Sequence, residues 1–145
     1  MTLFGNDEFD AAAAADVIAG HLAAATVHLG QTNMTVDRNT TKAEMTAAEA
    51  TYSGYAAETI TWLAPSIGSD GEVEVVGIVG EFRPTSSVIT NSIYTAYILS
   101  AVGGTPLCFV ARFDNAPIGM GTTLDSIVVT VRWRPRTGGL VITVD

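Results

Sequence analysis

The residues of this sequence that could do covalent chemistry are few, and their spacing matches no catalytic motif. Nucleophilic catalysis needs a Ser, Thr or Cys beside a base that a third group orients. The histidines are His21 and His28, and no G-x-S-x-G segment occurs. Glu72 and Glu74 could form an acid–base pair, but alternating carboxylates are more typical of the solvated face of a strand. The sequence therefore predicts a protein that is not an enzyme.

Two loops begin like ligand-binding motifs and lack the residues that would complete them. Residues 37–41 read Asp-Arg-Asn-Thr-Thr, the start of a calcium loop, yet Lys42 stands where an EF-hand needs glycine and Ala48 where it needs glutamate. Residues 119–121 are Gly-rich, but no Lys-Ser/Thr pair follows them. Cys108 is the only cysteine, which excludes an intramolecular disulfide and a cysteine-based zinc cluster. We expect no metal and no cofactor, and a buried Cys108.

Three arginines near the end of the chain form the clearest binding pattern. Arg132, Arg134 and Arg136 occupy alternate positions, so on a strand they share one face, with Trp133 on the other. Such a strand could bind single-stranded nucleic acid, or it could be a charged, solvated edge. The net charge of −8 argues against nucleic acid. We favour docking of this row on an acidic protein surface.

The chain carries little charge for its size. Apolar residues make up 48% of the 145 positions and charged residues 15%, less charge than an average soluble surface carries. We therefore expect part of the surface to be buried in an assembly. The charge is also uneven, because no Lys or Arg precedes Arg38 while acidic residues crowd the start. An acidic end and a basic strand on one molecule suit contact between subunits.

Targeting signals are not evident at the N-terminus. It lacks the basic segment and unbroken apolar core of a secretory signal, and no apolar run approaches the roughly 20 residues of a membrane span. We therefore expect synthesis in the cytoplasm and no membrane partner.

Residues 1–145 are predicted to form a single domain whose helical part comes first. Residues 6–25 favour a helix, because Asn6 or Asp7 can cap it and acids fill its first turn. Residues 26–54 are predicted to be a short strand, 26–29, and a polar connection. The apolar residues expected to form the packing face of the helix are Phe9, Ala13, Val17, Ile18 and Leu22.

From residue 55 onward, short apolar strands are separated by turn residues. The range 55–133 is the predicted β core, with strands at 55–63, 72–82, 92–99, 106–113 and 125–133. Gly103-Gly104 is predicted to turn a hairpin. No helices lie between these strands, so a parallel sheet is not expected. The pattern predicts an all-β fold with one N-terminal helix, arranged as an antiparallel β-sandwich or jelly roll.

The tail, residues 134–145, carries one more apolar segment. Leu140, Val141, Ile142 and Val144 surround a single threonine, a composition that favours a strand and would be an aggregation hazard if left free. Gly138-Gly139 gives a hinge before it. We predict that residues 140–144 add an edge strand, across a subunit boundary rather than within one subunit.

Several short motifs follow one another in a distinctive order. They are Tyr52 to Tyr55, Trp62, Ile93 to Tyr97, Arg112 to Pro117 and Ile127 to Val131, after a helix and a strand at 6–29. This order resembles a family of small virion-associated β-proteins of tailed phages and prophages. The resemblance covers about residues 6–133. The chain departs from that family at Leu124, where a glycine is usual, and in the added residues 134–145.

The resemblance implies a structural role in the virion and brings no catalytic residues. We expect a capsid decoration (cement) protein on the capsid surface, with the major capsid protein as partner and with itself as a homo-oligomer, a trimer. A tail-fibre or receptor-binding module is the alternative. Arg112 to Pro117 is then a strand end, with Phe113 in the core. The residues expected to bind partners are Arg132, Arg134, Arg136, Leu140, Val141, Ile142 and Val144.

Overall fold

The computed structural model describes residue 1 and the ranges 6–136 and 139–144. The fold is mostly β, with several antiparallel sheets and an N-terminal helix, as predicted. The strands are β1 (Thr26–Gly30), β2 (Glu58–Thr59), β3 (Thr61–Trp62), β4 (Ser66–Ile67), β5 (Val73–Ile78), β6 (Asn91–Ile93), β7 (Thr95–Leu99), β8 (Leu107–Arg112), β9 (Ile118–Met120), β10 (Val129–Arg134) and β11 (Gly139–Val144).

The N-terminal helix α1 spans Asp7–Val17, and one π turn, Ile18–Leu22, continues it. The side chain of Asn6 accepts hydrogen bonds from the N–H groups of Glu8 and Phe9, which satisfies two of the free donors at the helix start. The predicted cap is therefore confirmed.

The packing face of α1 differs from the predicted one. Leu22 is buried as expected, but Phe9 is 72% exposed and Ala14 is buried instead. Asp10, four positions before Ala14, lies on the packing side, where its carboxylate meets Arg136. The helix is thus oriented by an ion pair and close alanine packing rather than by its largest apolar residue.

Two main sheets carry the fold. A four-stranded sheet has the order β2-β1-β7-β8, and a five-stranded sheet has the order β11-β10-β5-β3 with β4 also paired to β5. β6 and β9 form a separate two-stranded sheet. Gly103 and Gly104 both adopt positive φ values between β7 and β8, which confirms the predicted hairpin.

The core draws apolar side chains from both main sheets. Val27, Leu29 and Ile98 come from the first sheet, and Val129 and Val131 come from the second. Their burial supplies the main stabilising free energy, about 25 cal/mol for each Å² of apolar surface removed from water. Phe113 is buried in the same cluster, as predicted.

The polar connection after β1 contains a short helix that the sequence pattern did not predict. α2 spans Lys42–Ala47 and begins with a capping box between Thr41 and Glu44. Met45, within this helix, is fully buried. The missed signal was Thr-x-x-Glu, which is visible in the sequence but lies in a segment without apolar periodicity.

The edge of β1 that faces away from β7 is completed by three successive partners. The N–H of Ile60, just after β2, donates to the carbonyl of Ala25. Farther along, the N–H of Leu29 donates to the hydroxyl of Tyr55 at 3.1 Å, and the N–H of Ala50 donates to the carbonyl of Leu29 at 2.8 Å. A side chain and a loop therefore take over where β2 ends.

Candidate functional site

The basic strand β10 faces carboxylates of its own chain. Nη1 of Arg132 lies 3.1 Å from Oε1 of Glu74, and Nε of Arg134 lies 3.6 Å from Oε2 of the same residue. Arg134 also pairs with Asp70, with 2.9 Å between Nη1 and Oδ2. The Glu74 side chain is only 8% exposed. The prediction that Glu74 belongs to a solvated face is therefore wrong, since folding removes this carboxylate from water and the arginines neutralise it.

The third arginine of the row joins the strand to the N-terminal helix. Nη2 and Nε of Arg136 donate to Oδ2 of Asp10 at 2.6 and 3.0 Å, and Asp7 lies at 3.5 Å. The hydrogen bond to Asp10 and the charges of Asp10 and Asp7 raise the pKa of Arg136 above its usual value. The acidic end and the basic strand thus meet inside one subunit, where the sequence suggested a contact between subunits.

This geometry changes what the arginine row can do. Arg132 meets Glu74 across 58 positions of sequence and Arg136 meets Asp10 across 126, distances at which sequence patterns give no indication of pairing. An acidic partner would have to compete with these intramolecular pairs. We therefore interpret the row first as a stabilising network.

The tail strand also pairs within the chain. β11, which contains Leu140, Val141, Ile142 and Val144, runs antiparallel to β10 from the pair Arg134↔Gly139 to the pair Val129↔Val144. The prediction of an added edge strand is confirmed, but its neighbour is the chain's own β10 rather than a second subunit. A short connection explains this outcome, because closing a short loop costs little entropy. Ile142 is half-buried and packs on the core.

The cations that hold no carboxylate lie elsewhere, around β8. Arg38, Lys42 and Arg112 have no acidic group within ion-pair distance in the part of the chain that the structure describes. Nζ of Lys42 donates to Thr105 at 2.6 Å, just before β8. Nη1 of Arg112, at the end of β8, donates to the carbonyl of Met34 at 3.0 Å.

A groove of about 410 Å³ runs beside the same strand. Its walls are the loop residues Asp37, Arg38 and Thr40 on one side and residues 107–110 of β8 on the other. Cys108 lines this groove and is half-buried, so the expectation of a buried cysteine is wrong. Desolvation raises the pKa of its thiol, which lowers the thiolate fraction at neutral pH.

A polar cluster that the sequence pattern did not indicate surrounds His28. Its Nε2 lies 2.8 Å from the hydroxyl of Thr26, and its Nδ1 lies 2.7 Å from Oε1 of Glu49. The hydroxyl of Tyr55 donates to the same carboxylate oxygen at 2.9 Å. The imidazole ring stacks on Tyr97, with 4.7 Å between ring centroids.

The order hydroxyl, imidazole, carboxylate is also the order of a catalytic triad. Here the His28 side chain is 14% exposed and lies stacked on Tyr97, and both of its nitrogens have partners within the fold. The carboxylate of Glu49 is shared with Tyr55. We interpret the cluster as a structural hydrogen-bond network that holds the segment around Glu49 against β1.

Three tyrosines in and around this cluster have raised pKa values because they are largely removed from water. Burial raises the pKa of Tyr52 to about 12, with the charge of Glu58 adding to the effect. The pKa values of Tyr55 and Tyr97 are also raised, first by desolvation and then by the nearby Glu49. Tyr52, Tyr55 and Tyr97 belong to the motifs that carry the family resemblance, so those motifs specify core packing rather than a reactive site.

Within the described ranges, no group of three or more His, Cys, Asp or Glu side chains is placed to hold a metal ion. No helix there has the length and apolarity needed to cross a membrane. Comparisons with protein-family models, curated proteins and solved structures return no match to this chain.

Proposed function

We propose that this chain is a virion structural protein of a tailed phage, a capsid decoration protein that stabilises the shell. Its two main sheets would pack face to face as a β-sandwich, and the subunits would associate as a trimer. The major capsid protein would be its partner. The motif order described above supports this assignment to a class, and one feature of the surface supports the binding role.

That feature is a pair of adjacent loops that display large apolar side chains. Val88 is 84% exposed, Leu124 is 87% exposed and Ile89 is half-exposed. The β6–β9 ladder pairs Asn91 with Met120, which places the loop ending at residue 90 beside the loop starting at residue 121. Exposed apolar groups that cluster on neighbouring loops, rather than standing singly, are typical of surfaces that become buried in an interface.

Hydrogen bonds hold both loops in place. The N–H of Ile89 donates to the hydroxyl of Ser53 at 2.9 Å, and the N–H of Ser53 donates back to the carbonyl of Ile89. In the second loop, Oδ2 of Asp125 accepts from the N–H groups of Gly121 and Thr122, both at 2.8 Å. These bonds lower the pKa of Asp125. Apolar side chains on pre-ordered loops lose little entropy on binding.

Copy number in purified particles distinguishes the candidate functions. Quantitative mass spectrometry should find this protein in hundreds of copies per virion if it decorates the shell. A handful of copies would favour the alternative, a tail-fibre or receptor-binding module. Replacing Val88 and Leu124 by Ser should reduce the occupancy on particles, while the same change at Ile78, an exposed residue of β5, serves as the control.

A further inference from the structure

Two long strands lie at sheet edges, β11 in one main sheet and β8 in the other, and β8 lacks the usual protection by charge or proline within the strand. β2 and β3 are two residues each, and the rest of the β1 edge is covered as described above. β8 spans six residues, Leu-Cys-Phe-Val-Ala-Arg, with no charge before Arg112 and no proline within it. Natural proteins protect such edges with charges, prolines or covering segments, because an exposed apolar edge invites another strand.

The hydrogen-bond pattern shows which backbone groups of β8 point outward. The N–H of Phe113 donates to the carbonyl of Tyr94, in register with the β7–β8 ladder. Since alternate residues of a strand direct their backbone groups to opposite edges, Phe109 and Ala111 face β7. The N–H and C=O of Val110 and Arg112 then point away from the sheet, and the described residues provide no backbone partner for them.

The groove beside β8 follows this edge. It touches four consecutive residues, 107–110, whose side chains alternate between the two faces of the sheet. A groove that contacts all four must therefore run along the edge of the strand rather than over one face. The loop containing Asp37, Arg38 and Thr40 forms its opposite wall, so the groove is bounded on both sides, as an added strand requires.

The charges around the groove select its occupant. Arg38 lines the groove, Nζ of Lys42 bonds to Thr105 just before β8, and Arg112 is the last residue of β8. The carboxylate that lines the groove, Asp37, already accepts a hydrogen bond from the N–H of Asn39 at 2.7 Å. A protein with a net charge of −8 thus has the three cations without an acidic partner in its described residues in the groove or at the two ends of β8.

We propose that the outer edge of β8 is a docking site for an extended, acidic segment of a protein partner. The segment adds to the four-stranded sheet as a fifth strand, and its carboxylates meet Lys42, Arg38 and Arg112. A second copy of β8 fits less well, because antiparallel self-pairing would bring Arg112 of one copy towards Lys42 of the other. The site depends on this chain alone, so it stands whether or not the partner is a capsid protein.

A synthetic peptide of three Val-Glu repeats, capped at both ends, is the probe. The peptide is titrated into the labelled protein at low ionic strength and followed by NMR. Binding should shift the amide signals of residues 107–112, and it should weaken as salt is added. The same peptide with lysine in place of glutamate should not bind. The double variant Arg38→Glu, Lys42→Glu should reduce the affinity by at least about tenfold, since two attractive charges become repulsive.

Two further variants separate the strand edge from charge alone. Val110→Pro removes an outward N–H and should abolish binding while the fold persists, because proline is tolerated on the open side of an edge strand. Arg83→Glu reverses one charge at an exposed pair with Glu81, outside the groove lining, and should leave binding unchanged. If Val110→Pro does not fold, the Arg38 and Lys42 double variant decides.

Any of three results would overturn the docking site. The first is the absence of peptide binding at low ionic strength. The second is binding that the double variant leaves unchanged, and the third is a set of NMR shifts on β10 instead of β8. Each of these results leaves the particle copy number untouched, so the proposed function is judged separately.

Discussion

Glu74 shows how single residues decide the use of charge in this protein. Glu74 lies in β5, and its buried carboxylate has two guanidinium groups beside it. A buried ion network contributes little net stability compared with an apolar replacement, but removing one sign of charge from it is costly. Arg132 and Arg134 are therefore required by Glu74, whatever else they bind.

Reversal of both charges should consequently destabilise the subunit. We expect Arg132→Glu with Arg134→Glu to lower the free energy of unfolding by about 3 kcal/mol, the lower end of the range for a broken buried pair, since both guanidinium groups are partly exposed. Urea unfolding measures the effect. Arg83→Glu, at an exposed pair with Glu81, should cost less than about 1 kcal/mol.

A third substitution tests the physical cause. Adding Glu74→Gln to the double variant removes the buried carboxylate and should restore most of the lost stability. The effects of substitutions at contacting residues are coupled and not additive. If the triple variant is no more stable than the double variant, repulsion at Glu74 is not the reason for the loss.

At the scale of elements, a single hydroxyl group completes the middle of the β1 edge, between β2 and the loop at Ala50. Oη of Tyr55 accepts from the N–H of Leu29 and donates to Glu49. It therefore links β1 to the carboxylate that also contacts His28. A tyrosine side chain thus replaces one residue of a missing strand. An edge completed in this way is sensitive to the loss of one oxygen atom.

Tyr55→Phe should lower the free energy of unfolding by about 1–3 kcal/mol, because a partly buried N–H and a carboxylate lose a partner while the ring packing stays. Hydrogen exchange should also become faster at the Leu29 amide. Tyr94→Phe is the matched control, since the Tyr94 ring lies under the Arg112 guanidinium and its hydroxyl makes no hydrogen bond within the described residues. Equal losses in the two variants would contradict this role of Tyr55.

The sequence predicts elements well where local signals are strong. The capped helix and the Gly103-Gly104 hairpin follow from local chemistry, and both are confirmed. The packing face of α1 and the role of Glu74 do not follow from it, because each depends on an arginine far along the chain. The groove at β8 was missed for the same reason, since its loop wall and its strand are about seventy positions apart.

At the scale of the whole molecule, the few cations fall into two main groups with different roles. Those on β10 and the turn after it stabilise the subunit by pairing with β5, its preceding turn and α1. Those around β8 have no acidic partner within the described chain. The two regions therefore separate stability from binding, and substitutions in each should have different consequences.

Removal of the residues after Arg136 tests whether the tail strand belongs to the subunit or to the assembly. β11 pairs with β10 over six residues, and Ile142 packs on the core. Fully burying an isoleucine is worth about 1.5–3 kcal/mol, of which the half-buried Ile142 gains a part, and each backbone hydrogen bond adds about 1 kcal/mol. The truncated chain should therefore lose at least about 3 kcal/mol of unfolding free energy, measured by urea denaturation at a concentration low enough to keep subunits apart.

Ile142→Ala in the full chain, which keeps the backbone pairing, should lose a smaller part. If the truncated subunit keeps its stability while light scattering shows that its self-association is lost, β11 pairs between subunits in solution and not within one.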